Sequence, residues 1–144
     1  MKIKYLLLIF FINLISCNIN YESIYNQEYL KISDCKNIKL VNWILFKETG
    51  IKINQKIQII FTDYNGGIPL HIKGLPIYYI VDINEKQYNI YKNKILNSEY
   101  SEYWRFNNEN EEFDFIKVTK FELSCILTKN NILFGYRNIE GIAP

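Results

Sequence analysis

The chain has 144 residues, of which 17 are basic and 15 acidic, for a formal net charge of +2 at neutral pH. That length fits one domain with a sizeable core, and so even a charge balance argues against nucleic-acid binding, which needs a basic surplus to meet phosphates. Isoleucine (26), asparagine (18) and lysine (15) dominate while alanine occurs once, the bias of AT-rich codons and not of a prion-like tract, and the isoleucines and 12 tyrosines favour strands.

Lys2 and Lys4 open the chain and flank an apolar stretch, Tyr5 to Ile15, that is interrupted by Asn13. A membrane-spanning helix needs about 20 apolar residues. A shorter stretch behind basic residues reads as the h-region of an export signal. An ordinary cleaved signal ends in a small-x-small pattern, whereas this one ends in Leu14-Ile15-Ser16-Cys17. These residues resemble the lipobox of the type II signal peptides of bacterial lipoproteins. The resemblance covers residues 1–17 and names no family for the remainder. It implies cleavage before Cys17, a diacylglyceryl, palmitate-type lipid on that cysteine, and a protein held to a membrane of the cell envelope on the side away from the cytoplasm. Removal of Lys2 and Lys4 leaves 15 basic and 15 acidic residues, a neutral chain.

Residues 18–33 are polar with scattered tyrosines. The expected organisation is therefore a signal peptide over 1–16, a tether over 17–33 and a single domain over 34–144. Asp34 suits an N-cap and Gly50 a C′ position. Ile38, Val41, Ile44 and Leu45 between them fall at helical spacing, with a strand over 38–46 as the competing reading. Ile57, Ile59 and Phe61 alternate as a strand does. Asn65-Gly66-Gly67 signals a turn. Residues 77–83 are apolar on both faces except Asp82 and read as a central strand. Asn84 and Gln87 stand close to a capping box, and Tyr88, Tyr91 and Ile95 give the helix 85–96 one apolar face. Phe121, Leu123, Cys125 and Leu127 alternate again, Asn130-Asn131 makes a turn, and 132–136 returns as a hairpin. The fold class is α+β: one antiparallel sheet of about four to five strands with two helices, preceded by a cleaved signal helix and a short tether.

With Cys17 lipidated, Cys35 and Cys125 remain. Outside the reducing cytosol two cysteines permit one intramolecular disulfide, which would close a loop worth about 4 kcal/mol at most. The alternative is two buried thiols, since free cysteine is among the most buried residue types. No C-x-x-C occurs and His71, the only histidine, has no cysteine nearby, so neither a metal nor another cofactor is implied.

Nothing marks a nucleophile with its base. His71 sits between apolar neighbours and no G-x-S-x-G is present. Glu99, Glu102, Glu109, Glu111, Glu112 and Asp114 crowd an Asn-rich stretch that reads as a solvated acidic loop. Two segments suit partners. Residues 65–76 carry Ile68, Leu70, Ile72 and Leu75 among glycines and prolines, packed inward or exposed as a patch. Tyr100, Tyr103, Trp104 and Arg105 are residue types enriched at binding hot spots. The leading expectation is a non-catalytic, membrane-anchored binding protein with a protein partner. An immunity-type lipoprotein that neutralises a toxin, and an envelope hydrolase using the carboxylates of 99–114, are the alternatives.

Overall fold

The computed structural model describes residues 20–61 and 77–140 of the chain. The lipobox with Cys17, the segment 65–76 and His71 lie outside the described residues. Four helices and six strands form one α+β unit: α1 (Tyr21–Tyr25), α2 (Ile32–Cys35), α3 (Ile38–Thr49), β1 (Gln58–Phe61), β2 (Ile77–Asp82), α4 (Glu85–Leu96), β3 (Trp104–Asn107), β4 (Glu112–Phe115), β5 (Leu123–Leu127) and β6 (Asn131–Tyr136). The strands make a single antiparallel sheet in the order β1-β2-β6-β5-β4-β3. A hairpin, β1-β2, is thus joined edge to edge with a four-stranded meander. Helix α4 carries the chain from β2 to the far edge, β3. Among the described residues no helix is long and apolar enough to cross a membrane.

Side chains of a strand alternate between faces, and one face of the sheet holds the main core. Tyr79 lies opposite Phe134, and Phe134 opposite Cys125. Val81 lies opposite Ile132, and Ile132 opposite Leu127. All four helices pack on this face, α3 through Leu40, Val41, Ile44 and Leu45 and α4 through Tyr88, Tyr91 and Ile95. Two buried tyrosines tie the sheet to the helices. The Tyr136 hydroxyl donates to the Val41 carbonyl at 3.1 Å, and the Tyr79 hydroxyl to the Cys35 carbonyl at 2.6 Å. Each hydroxyl is thereby satisfied within the apolar layer, as burial requires. The reverse face carries a second cluster, Tyr78 with Ile60 and Ile80.

Helix α4 has the expected ends: Asn84 Oδ1 accepts from Gln87 N and Gln87 Oε1 from Asn84 N, both at 2.9 Å. Helix α3 ends as expected at Gly50, which is left-handed at φ 77°. It starts later than expected, with Asn37 and not Asp34 as the side chain that accepts from the third residue. Asp34 instead bonds Lys31 N at the start of the short helix α2. The hairpin β5-β6 is the one expected, although β5 starts at Leu123, because Glu122 at φ 51° breaks the extended run after Phe121.

Two expectations are corrected. Residues 20–33 are not a free tether. Leu30 is fully buried, and its main chain bridges to Ile139 through Leu30 N to Asn138 O and Glu140 N to Leu30 O. Nor is 99–114 a solvated loop. Trp104 and Phe106 face Phe115 and Phe113 across the β3-β4 hairpin, which raises the strand number to six. Only Asn108 to Glu111 remain as its exposed turn.

Candidate functional site

The residues expected as a contact surface are divided by the sheet. Trp104 points into the core, 7% exposed, with its ring edge-on to Phe115 at 5.3 Å. It is not a contact residue, because β3 turns its indole toward the helices. Its Nε1 is buried and has no hydrogen-bond partner among the described residues. Arg105, the next residue, projects from the opposite face and pairs with Asp114 at 3.2 Å across the hairpin. Tyr100 and Tyr103 pack partly buried against the core, 6.2 Å apart and nearly perpendicular.

The acidic residues of this region are likewise dispersed. Glu99, Glu102 and Glu109 are exposed. Glu111 bonds Lys129, and that ammonium holds its carboxyl below the usual carboxylate range. Among the described residues no three His, Cys, Asp or Glu side chains converge as metal ligands would. The chemistry within reach of this hairpin is charge pairing at its surface.

A groove of about 550 Å³ opens where α3 and α4 end side by side. Its lining includes Phe46, Gly50, Lys52, Asn97, Ser98 and Tyr100. The Tyr100 ring lies against Gly50, where a Cβ would come within 2.6 Å of its Cδ2. The Tyr100 hydroxyl donates to the Lys47 carbonyl at 3.4 Å, which serves one of the carbonyls left free at the end of α3. Phe46 is 47% exposed at the rim. The site thus offers an aromatic, apolar floor with lysines and amides around it. Gly50 is visible in the sequence as the end of α3, but nothing there says that it meets the end of α4.

A second cluster fixes α1 to the domain. Tyr25 stacks edge-on against Trp43 at 6.0 Å and Phe121 at 5.6 Å. Its hydroxyl donates to Glu48, a carboxylate only 7% exposed on α3. Burial and the adjacent Glu48 charge together push the Tyr25 hydroxyl well above its ordinary pKa. Lys47 sits over the Tyr25 and Trp43 rings and reaches Glu22 of α1 at 2.6 Å. These groups face one another and hold α1 against α3.

Among the described residues Cys35 and Cys125 are both buried and free, and the expected disulfide between them is not formed. Cys125 lies opposite Phe134 on β6, and Phe134 opposite Tyr79 on β2, a separation of two strands. Cys35 instead meets the far end of the Tyr79 side chain, whose hydroxyl donates to its carbonyl. Burial pushes the Cys35 thiol up to about 11, and the Cys125 thiol is raised further by the same cause. Neither is a nucleophile at neutral pH, since the reactive species is the thiolate.

Comparison with known proteins finds no family model, no curated protein and no solved structure that matches the chain.

Proposed function

We propose that this protein is a lipid-anchored component of the cell envelope that works by binding a partner and not by catalysis. The observation that carries the reading is the sequence Leu14-Ile15-Ser16-Cys17 behind a lysine-flanked apolar stretch. The anchor is the diacylglyceryl group on Cys17. A lipid with two or more chains is enough for stable attachment, where a single chain is marginal. Radiolabelled palmitate enters the wild-type chain and not Cys17→Ser. Equal labelling of the two removes the anchor from the proposal.

The binding reading is supported by the distribution of side chains. Catalysis needs groups held in a defined mutual geometry. Here the thiols are buried and raised, and the carboxylates of the β3-β4 hairpin are tied to basic partners or scattered in solvent. The groove beside Tyr100 has what recognition needs, an apolar anchor site with a polar rim. Phe46 and Lys52 are its exposed contributors, and the buried Trp104 is not part of it. A photo-crosslinking residue at position 46 captures the partner in intact cells, and Lys52→Glu suppresses that adduct. An adduct pattern unaffected by Lys52→Glu, or arising equally from position 109 in the far turn, places the contact elsewhere.

A further inference from the structure

We infer that the end of the sheet carrying the β4-β5 loop is a bilayer-contact surface, with Val118 and Ile116 as the residues that enter the lipid interface. The inference rests on the proposed lipid at Cys17. It begins from an imbalance of exposure. Val118 is 89% exposed and Ile116 52% exposed, in the run Ile116-Lys117-Val118-Thr119-Lys120. Isolated exposed apolar side chains are ordinary. An aliphatic pair at a loop tip with lysines beside it has the composition of a segment that dips into the headgroup region. The two lysines reach back to the domain, Lys117 Nζ lying 4.1 Å from the centre of the Tyr103 ring and Lys120 Nζ bonded to helix α1, which leaves the aliphatic tips outward.

Position decides what this loop meets. The strand register puts the start of β5, the end of β6 and the junction of β1 with β2 at one end of the sheet. The main chain of 28–30 joins that end through Asn138, whose side chain donates to the Glu28 and Lys120 carbonyls. Lys120 Nζ in turn donates to the Tyr25 carbonyl at 2.8 Å, so the loop is bonded to α1. Helix α1 starts at Tyr21, with Asn20 as its cap. Asn20 is three chain steps from Cys17, and an extended chain spans at most about 3.6 Å per residue. The cap of α1 therefore lies within about 11 Å of the anchored cysteine. With α1 itself only five residues long, a leash this short holds the nearby end of the sheet against the bilayer. Phe61, 57% exposed, and Tyr29, 44% exposed, share that end.

Charge is not the driving force. Among the described residues at this end, Lys31, Lys36, Lys117, Lys120 and Arg137 are matched by Glu28, Asp34, Glu102, Glu122 and Glu140. Burial of the apolar tip is what holds the contact, so the surface suits the interface of a bilayer and does not depend on anionic lipid.

The test uses the full-length, lipidated chain reconstituted into phosphatidylethanolamine–phosphatidylglycerol vesicles. Cys35 and Cys125 are buried and Cys17 carries lipid, so Val118→Cys gives one reactive thiol for an environment-sensitive fluorophore. Asn130→Cys, in the turn at the other end of β5, is the reference. Quenching by bromine-labelled acyl chains is expected to be at least three-fold stronger at position 118 than at position 130. Equal quenching at the two positions, with the acyl mass present on Cys17, overturns the inference and leaves the anchor standing. Absence of the acyl mass from the purified chain overturns the anchor and, with it, this surface.

Discussion

Trp104 carries two opposite properties at once, a large buried ring and a buried N–H without a partner among the described residues. Loss of the ring removes its packing on Phe115 and leaves a cavity, and Trp→Ala changes of this kind cost about 3–5 kcal/mol. Trp104→Ala is expected to lower the thermal midpoint by roughly 10 °C or more. Trp104→Phe also removes the orphaned donor, whose desolvation costs about 1–3 kcal/mol, so its fall should be much smaller. Thermal melts of the two variants check the contrast, and equal losses would mean that the N–H finds a partner in solution. The two thiols make a second case. Cys35 and Cys125 should resist alkylation at pH 7.5 and react only in denaturant, as mass spectrometry of iodoacetamide-treated chain will show. Rapid native labelling of either would place it at the surface. At this scale the sequence was legible in type and not in direction. That 104 holds a hot-spot residue is plain. That it faces inward follows from its place in a two-stranded alternation, and the alternation was hidden by the acids around it.

At the level of elements, legibility followed length and capping. Helix α4 could be placed to the residue because both its cap side chains and its apolar stripe are local. The β3-β4 strands are four residues each, too short for a period of two to stand out from an Asn- and Glu-rich background. Yet Trp104 and Phe106, then Phe113 and Phe115, alternate with polar residues, which is the strand signal in its shortest form. Helices α1 and α2 were missed for another reason. Helices this short are not stable alone, and these exist because Tyr25, Leu30 and Cys35 find partners distant in sequence. The C-terminus of α3 offers the sharpest test of an element. Gly50 is in the left-handed region, and an added Cβ meets the Tyr100 ring at 2.6 Å. Gly50→Ala therefore suffers backbone strain of about 1 kcal/mol or more and also displaces Tyr100 from the groove. Chemical denaturation is expected to show a loss beyond that of strain alone. A loss under about 0.5 kcal/mol would mean that Tyr100 swings aside freely.

Taken whole, the molecule is a layer of neutral, protonated groups sealed between helices and sheet. Tyr79 and Tyr136 hold their hydroxyl pKa values above the ordinary range because burial penalises the phenolate. Burial likewise raises Cys35, to about 11 from 9.0, and Cys125. The sign of the consequence is fixed by linkage. Each group keeps its proton in the folded state at a pH where the unfolded chain has already lost it, so unfolding releases protons and stability falls as pH rises. The stabilising contribution is complete below about pH 8, where thiols and phenols are almost wholly protonated in both states. It is lost progressively from there through pH 11 and above, first for Cys35 and then for the groups raised further. The urea midpoint is therefore expected to be level from pH 7 to about 8 and to fall with increasing steepness toward pH 11, the slope corresponding to release of more than one proton. Tyr136→Phe separates the sources. It removes one titrating group and so flattens the fall, while it lowers the neutral-pH midpoint through loss of the hydrogen bond to Val41 O. A midpoint unchanged through pH 11 would mean that these hydroxyls and thiols are in contact with water, and that helix α3 does not close over the sheet as described.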